Sequence, residues 1–143
     1  MSFSTDLGAL RDHLETDATL KAFCLARWGK ELTARIRFRQ RTEIKMTELP
    51  LVLITRPGVD TDPSYGNREP RHTVRLYAGF HQKDPEKGAL DLVDFEDAIL
   101  DAIERFEPTS DDIDGITLSQ SRNDEGALAP SYFTVLDLIC TTN

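Results

Sequence analysis

The chain has 143 residues, 39% of them hydrophobic and 29% charged, with a net charge of −8; a single domain of that size buries roughly two-thirds of its unfolded surface. The composition excludes a collagen-like or disordered chain, and the acidity argues against a protein that coats nucleic acid, which needs Lys and Arg on phosphates. No apolar run approaches the roughly 20 residues of a bilayer-spanning helix, and the start MSFSTDLGALRD lacks a basic-then-apolar leader pattern, so a cytoplasmic protein is expected, with no membrane partner.

From about Ser4 to Gly29, Leu7, Leu10 and Leu14 recur at helical spacing, and a second stripe of Leu20, Phe23, Cys24 and Trp28 follows in a different phase. The shift at Thr16-Asp17 predicts two consecutive helical pieces, with Asp17 capping the second and Gly29 stopping it. Cys24 and Cys140 match no metal-ligand spacing and sit among apolar neighbours, which predicts small buried core residues. From Leu32 to about Gln40 the period changes to two: Ala34, Ile36 and Phe38 are expected to face the core, and Arg35, Arg37 and Arg39 to face away, with Arg41 continuing the series.

The unbroken run Leu51, Val52, Leu53 and Ile54 predicts a strand covered on both faces, fenced by Pro50 and Pro57. Residues 57–71 hold three prolines, two glycines and three acids without a hydrophobic period, and are expected to form a protruding hairpin loop. In the next strand Val74, Leu76, Ala78 and Phe80 share one face, and Arg75, Tyr77, Gly79 and His81 the other. KDPEKG is expected as a turn, followed by an amphipathic helix with Phe95, Ala98, Ile99, Ala102, Ile103 and Phe106 on its stripe, Asp91 or Asp94 as its cap and Pro108 as its end. Two strands close the chain, Gly115 to Arg122 with Ile116 and Leu118 inward, and a central one from Tyr132 to Thr141; NDEGALAP turns between them. This order describes one α+β domain over residues 1–143: two layers, with helices on one face of a mixed or antiparallel sheet of about five strands.

Chemical signatures are sparse. The eight glycines form neither GxGxxG nor GxxxxGK[ST], no GxSxG elbow occurs, and His13, His72 and His81 have no HExxH or HxxxH partner. TSDDIDG lacks the full pattern of a calcium loop. No catalytic residue, cofactor site or metal site is therefore expected.

Charge is unevenly placed. From Lys21 to Lys45 eight basic residues face two acidic ones, a local balance of +6 that leaves −14 for the rest, much of it between Asp84 and Glu125. The stripe Arg35, Arg37, Arg39 and Arg41 admits three readings: solvent-facing charges that protect an edge strand, a nucleic-acid track, or an assembly surface meeting carboxylates of another copy.

The segments DATLKAFCLARWG, ELPLVLITRPGVD and HTVRLYAGFHQ, followed by an acidic amphipathic helix and two strands, resemble the phage tail terminator proteins, also called tail completion or minor tail protein U-like proteins, including prophage-encoded forms. The resemblance runs through essentially the whole chain and rests on element order, lengths and the LPLVLI strand. It implies a non-enzymatic protein in a ring, typically of six subunits, which caps the tail tube, ends its polymerisation and offers the head-joining surface. Implied partners are further copies of the chain, the tail tube protein and the head connector, with DNA passing through the ring unbound. Implied locations are the host cytoplasm during assembly and then the virion tail. The arginine stripe is then a candidate for the subunit contact or the channel wall. The loop carrying Asp60, Asp62, Tyr65, Asn67 and Arg68 is a candidate contact with the tube or connector. Two other classes are compatible with the residues alone: a small monomeric adaptor that binds one protein, and an enzyme of unrecognised type built on the acidic patch with His72 or His81.

Overall fold

A computed structural model of the chain describes residues 3–38, 44–60, 71–108 and 113–142. The elements are α1 (Phe3–Thr16), α2 (Ala18–Trp28), β1 (Thr33–Ile36), a 3-10 turn (Met46–Glu48), β2 (Leu51–Asp60), β3 (Arg71–His81), α3 (Pro85–Glu104), β4 (Ile113–Asn123) and β5 (Ser131–Thr142). The five strands form one open sheet in the order β1-β2-β3-β5-β4, with β1 parallel to β2 and every other pair antiparallel. The helices cover one face, so the fold is α+β with a mixed sheet, as the element order predicts.

The helical boundaries follow from local chemistry. Asp17 accepts the Leu20 N–H at 3.0 Å and starts α2; Gly29, at φ 72°, closes it with its N–H on the Leu25 carbonyl at 2.9 Å. Asp17 also receives a two-pronged contact from Arg105 at 3.0 and 2.7 Å, tying the start of α2 to the end of α3. That guanidinium holds the Asp17 carboxyl below its ordinary range.

The third helix begins earlier than its stripe suggests. Asp84 caps it through the N–H groups of Glu86 and Lys87, and Pro85 takes the first helical position, where its missing N–H costs nothing. KDPEKG is thus the start of the helix, not a turn. Asp91 and Asp94 lie inside it and bind Arg27 at 2.7 and 2.9 Å instead of capping. The helix ends at Glu104, capped by Arg105, before Pro108 is reached.

The core lies between the helices and one sheet face: Leu10, Leu14, Leu20 and Cys24 from the first two helices and Phe95, Ile99 and Ala102 from α3 meet Val52, Ile54, Leu76, Phe80, Leu136 and Leu138. An aromatic cluster anchors it, with Trp28 stacked on Phe80 at 4.5 Å and edge-on to Phe95 at 5.0 Å. Gly88 lets α3 approach β5, because a Cβ there would run into the Tyr132 ring. Both cysteines are buried free thiols, as expected, and burial pushes them up to about 12 for Cys24 and about 11 for Cys140.

The sheet's other face is covered only in part. A smaller cluster of Leu49, Leu51 and Leu53, with Ile44, Tyr77 and Phe133 packed against it, forms on that face. This is why the LPLVLI strand is apolar on both faces. Pro57 does not fence β2: it sits in a bulge between Thr55 and Gly58, where the ladder can spare an N–H, and the strand runs on to Asp60.

Two edge-strand expectations are corrected. Pairing of β1 ends at Ile36, and of the alternating apolar residues only Ala34 is buried; Ile36 and Phe38 are exposed, Phe38 by 73%. Alternation gives the phase, but the core reaches Ala34 and not Ile36 or Phe38. Leu118 of β4 is likewise exposed, while Ile116 packs against the core.

Candidate interaction surfaces

The strand β1 forms one edge of the sheet, and Arg35 within it and Arg37 just past its end first meet carboxylates of their own chain. Arg35 donates to Glu15 of α1 at 2.8 Å, an oxygen that also accepts the Ala34 backbone N–H, and Arg37 donates to Glu48 at 2.6 Å. Their side chains remain 55% and 45% exposed, so each pair is a solvated rim contact of small energetic weight. Arg39 and Arg41 lie outside the described residues.

β2 and β3 are antiparallel neighbours with Asp60 paired to Arg71, so residues 57–60 and 71, expected in the loop, belong to the strands, and residues 61–70 lie outside the described residues. Asp60 ends β2; Asp62, Tyr65, Asn67 and Arg68 lie outside the described residues. Behind the hairpin base, His72 stacks on Phe3 with ring centroids 3.8 Å apart, meets Arg56 through Nδ1 at 3.1 Å and Thr142 through Nε2 at 3.3 Å. Because a guanidinium can only donate, Nδ1 accepts and Nε2 carries the proton. Burial first, and the Arg56 charge second, lower the pKa of His72. His72 is thus tied into the fold, and His81 sits at the far end of the same strand.

On the sheet face away from the helices, Arg75 grips Asp137 at 2.7 and 3.2 Å, and Gln120 reaches the same carboxylate at 3.3 Å. The Arg75 bonds hold Asp137 below its ordinary range. This network joins β3, β5 and β4 side by side across that face of the sheet.

A groove of about 340 Å³ opens at the opposite end of the sheet from β1. Pro85, Ala89, Leu92, Val93 and Glu96 of α3 form one wall, and Asn123, Glu125, Gly126, Ala129 and Tyr132 around the β4–β5 turn form the other. Glu96 is held by the Thr134 hydroxyl. Among the described residues the lining contains two carboxylates and no cation. Sequence reading passed over this groove, although it left a signal: Val93, which lines it, is a large apolar residue off the buried stripe of α3 and is 58% exposed. Among the described residues no three of His, Cys, Asp and Glu stand close enough together to hold a metal ion, and no helix is long and apolar enough to cross a membrane.

Comparison with known proteins gives a likeness of fold. The structure is similar to a chain from a structure described as "Virion of native gene transfer agent (GTA) particle", with a TM-score of 0.59 over 95% of this chain and 92% of that chain, at 11% sequence identity. No protein-family model and no curated protein matches the sequence.

Proposed function

We propose that this protein is a structural, non-enzymatic component of a phage-like particle, acting as a tail terminator-like ring subunit that caps the tail tube and offers the surface for head joining. The observation that carries this reading is the end-to-end likeness to a chain of a gene transfer agent virion, which pairs nearly all of both chains and so concerns the whole domain. The distribution of charge supports it: Arg35 and Arg37 lie at the β1 edge and the acidic groove on the opposite side of the same sheet. A contact that joins unlike patches repeats from copy to copy and closes into a ring when the rotation allows. The partners are further copies of the chain, six in the ring, then the tail tube protein and the head connector. The hairpin after β2 is the candidate contact with one of the latter. DNA passes through the ring without specific binding. The protein assembles in the host cytoplasm and ends in the virion tail.

Native mass spectrometry at micromolar concentration, alone and with the tube protein, tests the reading. Closed oligomers that cap purified tubes are the expected result. A strict monomer under every condition, or an oligomer that leaves tube growth unchanged, would overturn it.

A further inference from the structure

Phe38 is a large aromatic side chain held 73% exposed at the end of an edge strand, where neither core cluster reaches it. Ile36 beside it is 39% exposed, and Arg37 between them stays 45% exposed beyond its bond to Glu48. An exposed aromatic of this kind forfeits the burial of roughly 150–250 Å² that Phe makes in a core or interface. The segment from Arg35 to Lys45 carries five cations against Glu43 alone. At the other side of the sheet, beyond β3 and β5, lies the groove between α3 and the β4–β5 turn, apolar at Ala89, Val93 and Tyr132 and acidic at Glu96 and Glu125. A groove of about 340 Å³ has the size of a small ligand site and accommodates one aromatic side chain.

We infer that the groove of one copy receives Phe38 of the next, with Arg37 of the incoming strand set against Glu96 and Glu125 at its rim. Apolar complementarity supplies the anchor, and opposite charge supplies orientation and rejects the reversed approach. Donor and acceptor occupy opposite edges of one sheet, so the contact is head-to-tail and leaves a free donor at one end of a growing chain of subunits and a free acceptor at the other. The inference rests on the ring-subunit reading and adds to it the residues that make the contact.

Disulfide trapping tests it, using Arg37→Cys and Glu125→Cys, two exposed positions of the proposed rim pair whose replacement leaves Phe38 and the core in place; both native thiols are buried. Mixing the two single variants under mild oxidation should give a linked dimer, and the double variant a ladder up to the closed oligomer. Arg37→Cys mixed with Leu25→Cys, an exposed position outside the groove, should stay unlinked. Phe38→Ala should weaken assembly by about 30-fold in dissociation constant, as a buried anchor does, with an unchanged melting curve. Arg37→Cys dimerising with itself would mean a symmetric contact and would overturn the inference, as would Phe38→Ala assembling normally. Closed rings that form without the 37–125 link would overturn the inference and leave the ring-subunit reading intact; absence of any oligomer would overturn both.

Discussion

Asp17 is asked to do two separable things, and replacing it separates them. Its carboxylate caps α2 through the Leu20 N–H and also takes the fork of Arg105 at the end of α3. Loss of an N-cap carboxylate costs about 1 kcal/mol. The ion pair is asymmetric in burial, the Asp17 side chain being 9% exposed and Arg105 40%, so solvent screening makes it the smaller of the two contributions. Asp17→Ala should therefore destabilise by somewhat more than about 1 kcal/mol, a fall in Tm of roughly 3–5 °C for a domain of this size. Asp17→Asn keeps an acceptor for the cap and loses the charge, so it should cost clearly less than Asp17→Ala, and Arg105→Ala should match it. Urea unfolding of the three variants, with the Asp17→Ala/Arg105→Ala double variant to close the cycle, measures each part. The carboxyl is held low in the folded state, so its contribution is complete above the unfolded value near 4 and is lost as pH falls through the lowered folded value. If Asp17→Asn cost as much as Asp17→Ala, the cap would contribute nothing and the reasoning would fail.

Gly88→Ala reverses the usual sign. In an open helix the change gains up to about 1 kcal/mol, but here the new methyl meets the Tyr132 ring, and a loss of about 1–2 kcal/mol is expected by urea melting, relieved in a Tyr132→Ala background. For His72 the folded-state pKa is lowered, so its contribution is present above the unfolded value near 6.5 and lost as pH falls below it. Thermal melts between pH 7.5 and 5 should show a decline that flattens in His72→Gln; an unchanged slope would remove the histidine from the account. The thiols of Cys24 and Cys140, raised to about 12 and about 11, should resist a thiol-reactive dye at pH 8 until urea exposes both. Rapid labelling of the native protein would contradict their burial.

Elements that announce themselves through short-range chemistry were readable from the chain. Asp17 and Gly29 bracket α2 because a cap needs only its neighbours, and the alternation of Val74, Leu76, Ala78 and Phe80 marks a half-buried strand whatever lies beside it. The misses come from tertiary coverage. Ile36, Phe38 and Leu118 keep the period of a strand, yet whether a residue on the inner side is buried depends on where a helix ends above it. The start of α3 was hidden because Asp84-Pro85 reads equally as a turn and as a capped first turn. The carboxylates that meet Arg35 and Arg37 come from Glu15 and Glu48, one before and one after the strand, and periodicity says nothing about such pairings. The groove has the same origin, since its lining runs from Pro85 to Tyr132, 47 residues apart, and its walls meet only through tertiary packing.

The far edge of the sheet bears on how this chain associates. β4 is eleven residues long and exposed from Thr117 to Asn123, a length of free backbone that would ordinarily invite another sheet to join it. Its register breaks between Leu118 and Gln120, and its outer half reads Ser, Gln, Ser, Arg, Asn. A kinked, polar edge of that kind offers no straight apolar template for strand addition. Association by indiscriminate sheet extension is thereby discouraged, and contacts between copies are left to side chains, which can be matched to one neighbour and refused to others.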